Sequence, residues 1–138
     1  MDIVAHALWA AAGMAVLRRH RPIAPGTVAA TVGLAALPDI LHLLPIARWW
    51  VFGDGSFSAV RAYALAVPGQ EPALPPTVQW LSHHLHCIAH SAIVAAAVTL
   101  AIRTVRRSLW IPLLGWWSHI VIDVFTHSAP LGPGRRAA

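Results

Sequence analysis

The chain contains no lysine, a single cysteine and only five acidic residues among 138. Each scarcity removes a class of protein. One cysteine, Cys87, excludes an internal disulfide and a cysteine-rich zinc site. Charged residues make up 11% of the chain, against about 25% in ordinary soluble domains. That shortfall argues for a membrane protein, with a soluble helical domain built around an all-buried core as the alternative. All ten basic residues are arginine, and they leave a formal charge of +5. They sit at the ends of apolar runs and form no stripe. This disfavours a nucleic-acid partner and matches the flanks of membrane spans. The N-terminus carries Asp2 and no basic segment, so no cleavable signal peptide is expected. Internal repeats and low-complexity segments are lacking as well.

What is present is apolar sequence, 57% of the chain, arranged in four runs. The length suits one domain over 1–138. Ile3 to Leu17 is the first run, with Asp2 as its N-cap and Arg18-Arg19-His20-Arg21 at its end. Pro22 and Pro25-Gly26 then mark a turn. The second run is Thr27 to Ala47, and Pro38 within it predicts a break or kink near Leu37. Trp49-Trp50 follow as an interfacial aromatic pair would. Residues 51–76 are the longest stretch outside the runs. Within it, Ser56 to Val67 reads either as a short helix lying on the membrane surface or as a loop over the bundle. The third run reads as one helix from Thr77 to about Arg103. The fourth is capped by Ser108, tolerates Pro112 in its first turn, and ends near His127 before Pro130. A span needs about 20 residues. The expected fold is therefore all-α, a membrane-embedded bundle of about four helices running up, down, up, down. Three spans and one partly inserted helix is the fallback.

The fourth run carries His119, Asp123 and His127 at i, i+4 and i+8. On a helix these share one slowly drifting stripe. Imidazoles and a carboxylate repeated on the face of an apolar helix point to a metal site, whereas satisfied core polar groups are the bland reading. His86 and His90 repeat the i, i+4 spacing on the third run, a spacing by which one helix supplies two ligands. Asp39 and His42 share a face late in the second run. In an up-down-up-down bundle, His6, Asp39, His42, His83, His84, His86, His90, His119, Asp123 and His127 all fall in the half opposite the arginine clusters. Only His20 does not. By the positive-inside rule the arginine end is cytoplasmic, and both termini and the site are outside. A carboxylate inside a span costs at least about 2.5 kcal/mol, so Asp39 and Asp123 need partners. A divalent ion shared with neutral imidazoles satisfies both. Interhelical His–Asp hydrogen bonds acting as glue are the alternative.

The segments Met1 to His6, Leu37-Pro38-Asp39-Ile40-Leu41-His42, His86-Cys87-Ile88-Ala89-His90-Ser91 and Ser118-His119-Ile120-Val121-Ile122-Asp123 together resemble the family of membrane-bound, metal-dependent hydrolases. That family is associated with the bacterial inner membrane and is distantly similar to zinc-dependent phospholipase C. The resemblance covers four short segments in order, one per run. It implies His6, Asp39, His86, His90, His119 and Asp123 as metal ligands. The family writes Asp-x-Asp-His where this chain has Asp39-Ile40-Leu41-His42, and His-Arg-x-x-Thr-His-Ser where it has Cys87 and Ala89.

The leading expectation is a metal-dependent membrane hydrolase using zinc, or manganese, on a lipid-linked or phosphoester substrate. Asp123 or His127 would act as general base. His42, His83 and His84 would stand behind the ligands or at the rim, with His42 also able to ligate or to orient Asp39. A non-catalytic metal or haem binder is the second reading, with His90 and His119 as a bis-imidazole pair. A structural scaffold is the third. Faces of small residues, Ala10 to Gly13 and Ala95 to Ala97, would let copies of the chain associate.

Overall fold

The computed structural model describes residues 3–66, 70–106 and 109–127, with the side chain of His127 outside that set. Among the described residues the chain is all-helical, with six helices and no strand. They are α1 (Ile3–His20), α2 (Pro25–Phe52), α3 (Phe57–Leu65), α4 (Pro76–Ala89), α5 (Ala92–Val105) and α6 (Trp110–His127).

Helix α2 is the centre. It packs against α1, α4 and α6, and α3 leans on it. It begins on Pro25, whose missing N–H costs nothing in a first turn. It then continues through Pro38 and Pro45 to Phe52, so the break expected near Leu37 is not found. Pro38 is fully buried among the neighbouring helices, and that packing holds the segment helical despite one lost backbone bond. Trp49 and Trp50 accordingly lie within the helix, and the Trp49 indole donates to Asp54 Oδ1 at 2.6 Å in the turn beyond it.

Helices α2 and α6 run parallel at a constant register. Thr31, Ala35 and Asp39 on α2 face Gly115, His119 and Asp123 on α6, three successive turns with an offset of 84 residues. The contact is close because Gly115 has no side chain: a Cβ there would overlap the Thr31 carbonyl. A glycine inside a helix is disfavoured by up to about 1 kcal/mol, and here it permits backbone to meet backbone.

The third run departs from the single helix expected over Thr77 to Arg103. It is two helices, α4 and α5, bent by 58° at a short break. His90 caps α4 with φ −97° and ψ 4°. Ser91 starts α5 by accepting from the Val94 amide at 3.3 Å. The serine side chain competes for backbone donors, which favours a helix start over continuation. The carbonyl of Ala89, freed by the break, receives the Trp116 indole N–H at 2.6 Å. Trp117 donates to Thr99 at 3.0 Å and ties α5 to α6.

The segment left open between helix and loop is helical over Phe57–Leu65, with Ser56 accepting from the Ala59 amide at 3.2 Å. The caps expected at Asp2 and Ser108, and the chain beyond His127, lie outside the described residues. Helix α1 extends three residues past Leu17, to His20.

One helix, Pro25–Phe52, is long and apolar enough to cross a membrane, and the bent pair α4–α5 makes a second if counted as one span. Helices α1 and α6 have 18 residues each and are shorter than a typical span.

Candidate metal centre

His6 from α1, Asp39 from α2, His90 at the α4–α5 break, and His119 and Asp123 from α6 converge in the middle of the bundle. His119 is fully buried, and His6 and Asp39 are nearly so, at 4% and 3% exposure. Two overlapping groups have ligand-type atoms close enough to share an ion: His6, Asp39 and His119, and His90, His119 and Asp123.

The backbone decides how the two central imidazoles are protonated. His119 Nδ1 lies 2.7 Å from the carbonyl of Ala35, and His90 Nδ1 lies 3.0 Å from the carbonyl of His86. A carbonyl can only accept, so each Nδ1 carries the proton. In the neutral ring, each Nε2 then presents a lone pair. These two Nε2 atoms are 2.9 Å apart. Asp123 Oδ2 stands 3.3 Å from each of them. Asp39 Oδ1 is 3.6 Å from His90 Nε2 and 4.0 Å from His119 Nε2. With both rings neutral, four acceptor atoms would face one another. Protonating one imidazole would offset one carboxylate, whereas a divalent ion offsets both.

The donor set fits such an ion. Tetrahedral zinc with bonds of about 2.0–2.1 Å holds its ligand atoms about 3.3 Å apart. The separations within the His90, His119 and Asp123 group are 2.9, 3.3 and 3.3 Å. The Nδ1-to-carbonyl bonds are the outer contacts by which metal-binding histidines are normally oriented. Asp39 also has a buried Oδ2 with no hydrogen-bond partner. Because His119 spends Nδ1 on Ala35, it has one atom to give, and the two overlapping groups share that atom. The 2.9 Å gap leaves no space for a porphyrin between His90 and His119.

His6 approaches from the far side. Its Nε2 is 3.1 Å from Asp123 Oδ1, and its ring lies 3.8 Å from that of His119. His86 stands beside the cluster, its ring stacked on His90 at 3.9 Å, and is in neither of the two groups. His42 is buried and meets the His86 ring edge-on at 5.4 Å. His83 lies 3.5 Å from the Cys87 sulfur. His84 is exposed, donates to the Trp80 carbonyl at 2.8 Å and lies tilted by 35° against the Trp80 ring, with centroids 4.0 Å apart. The side chain of His127 lies outside the described residues.

A chamber of about 860 Å³ opens on one side of the cluster. Asp39, His42, His86, His90 and Asp123 form its inner wall, and α3 with residues 71–76 forms the outer one. There Tyr63 has its phenol pKa pushed above the ordinary range, first by burial and then by the charge of Glu71. Sequence reasoning did not single out Tyr63 or Ser82 in this wall, nor Gly115 as the residue that brings α6 onto α2. No sequence pattern gives the Trp116 indole N–H its partner, the Ala89 carbonyl. Their roles depend on which helices meet, and no local pattern marks that.

Compared with protein-family models, curated proteins and solved structures, the chain matches none.

Proposed function

We propose that the chain is a membrane-embedded, metal-dependent hydrolase. The observation that carries this reading is the pair of Nε2 lone pairs 2.9 Å apart beside two carboxylates. His90, His119, Asp123 and Asp39 would hold one divalent ion, zinc or manganese, with His6 bracing Asp123. Such an ion supplies Lewis acidity and lowers the pKa of water to about 7. Asp123 is the best placed proton acceptor, since it both belongs to the cluster and lines the chamber. Asp39, nearly buried, keeps the charge of the site balanced. Both carboxylates reach the chamber wall, where a lipid-linked or phosphoester substrate would enter.

The membrane part of the reading rests on an inverted distribution of side chains. His6, Thr31, Asp39, His42, Ser82 and His119 are buried, while Val4, Leu8, Trp9, Phe52, Ile93, Leu100, Val105 and Phe125 are each more than 60% exposed. Water-soluble chains rarely leave so many large apolar side chains exposed while burying polar ones. We infer a bundle in which α2 and the bent pair α4–α5 cross the bilayer, and the shorter α1 and α6 complete it by tilting or local thinning. Because α2 and α6 run parallel, Arg18, Arg19 and Arg21 before α2 lie at the same end as Arg103 and Arg106 before α6. That end would be cytoplasmic, and the chamber would open toward the outer leaflet of a bacterial inner membrane.

The test is elemental analysis of protein purified in detergent from cells supplied with zinc and manganese. About one equivalent of metal per chain is expected, lost in His119→Ala and in Asp123→Ala. Metal-free protein with an unchanged fold would sink the hydrolase reading and leave the cluster as structural glue.

A further inference from the structure

The chamber wall has a second character away from the ion-holding cluster. Ser82 is 2% exposed, lines the chamber, and its hydroxyl has no hydrogen-bond partner. A buried hydroxyl left unpaired is costly, and a polar group entering the chamber would satisfy it. The same chamber is lined by Gln79, His83 and Tyr63, side chains that both donate and accept, by Glu71, an acceptor, and by the aromatic Trp80. Among the described residues, no arginine or lysine lines the chamber. Beyond the ion, the wall therefore offers no counter-charge for a second anionic group.

We propose that this part of the chamber binds the head group of a membrane phosphodiester, and that the head group is an uncharged polyol. Hydroxyls are donors and acceptors at once, which suits a wall that mixes both. They also suit a carboxylate, which accepts from them. An aromatic face covers the C–H side of a polyol. The volume, about 860 Å³, lies in the range that holds a ligand of this size. The occupant is a lipid, because the exterior around the bundle is apolar. A cationic head group is the competing chemistry, since Glu71 would attract it. The inference rests on the hydrolase reading only for placing the phosphoester beside the ion.

Binding and turnover are measured separately. Metal-loaded protein in nanodiscs is compared for retention of three lipids with identical acyl chains: phosphatidylglycerol, phosphatidylethanolamine and phosphatidic acid. Native mass spectrometry reads the adducts, and head-group release is followed in parallel. Phosphatidylglycerol is expected to bind about tenfold tighter than the other two. Ser82→Ala should reduce that preference by about five- to tenfold with metal content unchanged, and should leave phosphatidylethanolamine binding where it was. Gln79 is exposed, so Gln79→Ala repeats the test at a position that does not threaten folding. The water-soluble diester glycerophosphoglycerol should compete, and glycerophosphoethanolamine should not. Equal or tighter binding of phosphatidylethanolamine overturns the proposal, as does full retention of the preference in both variants. A lipid preference without head-group release would support the polyol site while removing the hydrolase reading.

Discussion

A single backbone carbonyl sets the tautomer of the histidine at the centre of the cluster. Ala35 is an apolar residue with no chemistry of its own, yet its carbonyl takes the Nδ1 proton of His119 at 2.7 Å and so leaves the Nε2 lone pair facing the cluster. That contact exists because Gly115, one turn earlier on α6, lets the two backbones approach. Gly115→Ala puts a methyl group against the Thr31 carbonyl, where the rigid backbone cannot yield. Overpacking of this kind costs about 1–3 kcal/mol. A lowered midpoint in thermal or detergent-titrated unfolding is expected, together with a fall in bound metal as His119 moves off Ala35. Unchanged stability and unchanged metal content would show that the α2–α6 contact does not position the site. At this scale the sequence was informative about which side chains bear chemistry. His6, Asp39, His90, His119 and Asp123 were all named from spacing and depth. It was silent on Gly115, because a lone glycine in an apolar run looks the same whether or not another helix crosses it.

Among the elements, the broken third run matters most. Sequence pattern reads Thr77 to Arg103 as one helix, because nothing there is a strong breaker. The fold instead ends α4 at Ala89 and lets Ser91 begin α5. The break turns His90 from one more residue on a helical stripe into the hinge residue, whose ring points at His119. A break frees backbone groups that need partners when buried, and Trp116 supplies one for Ala89. Trp116→Phe keeps the ring and removes the donor. The unpaired carbonyl is expected to cost about 1–3 kcal/mol, and looser placement of His90 should weaken metal binding roughly 10–100-fold. Metal titration against a competing chelator measures this. Trp9→Phe, at a site 65% exposed, should leave both quantities unchanged. Pro38 shows the reverse lesson: its local signal predicts a break or kink near Leu37, and α2 runs on through it without a break, with Pro38 buried among the neighbours.

For the whole molecule, several polar side chains are buried while many large apolar ones are exposed, and Arg18, Arg19, Arg21, Arg103 and Arg106 share one end, with Arg48 and Arg61 toward the other. The arrangement follows from α2 and α6 sharing a direction. It predicts a shared side for two loops far apart in sequence. In a Cys87→Ser background, Arg18→Cys and Arg103→Cys should both resist a membrane-impermeant maleimide in intact spheroplasts and both label after permeabilisation. Ala62→Cys on α3 should label in the intact cells. Opposite behaviour of Arg18→Cys and Arg103→Cys would break the parallel α2–α6 arrangement as a membrane topology.

The sequence by itself determined the helical class, the apolar character and the set of candidate ligands. These follow from composition and from periodicity along one chain, which are local properties. Only the tertiary structure decided which nitrogen of His90 and of His119 faces a backbone carbonyl, where the third run breaks, and that His86 stacks beside the cluster while His90 enters it. It also decided that a chamber with Ser82, Tyr63 and Glu71 in its wall opens beside the cluster. Those outcomes depend on backbone groups and on contacts between residues 27 to 84 positions apart. A carbonyl is the same in every residue, so no reading of side-chain types reveals which one a distant histidine will meet.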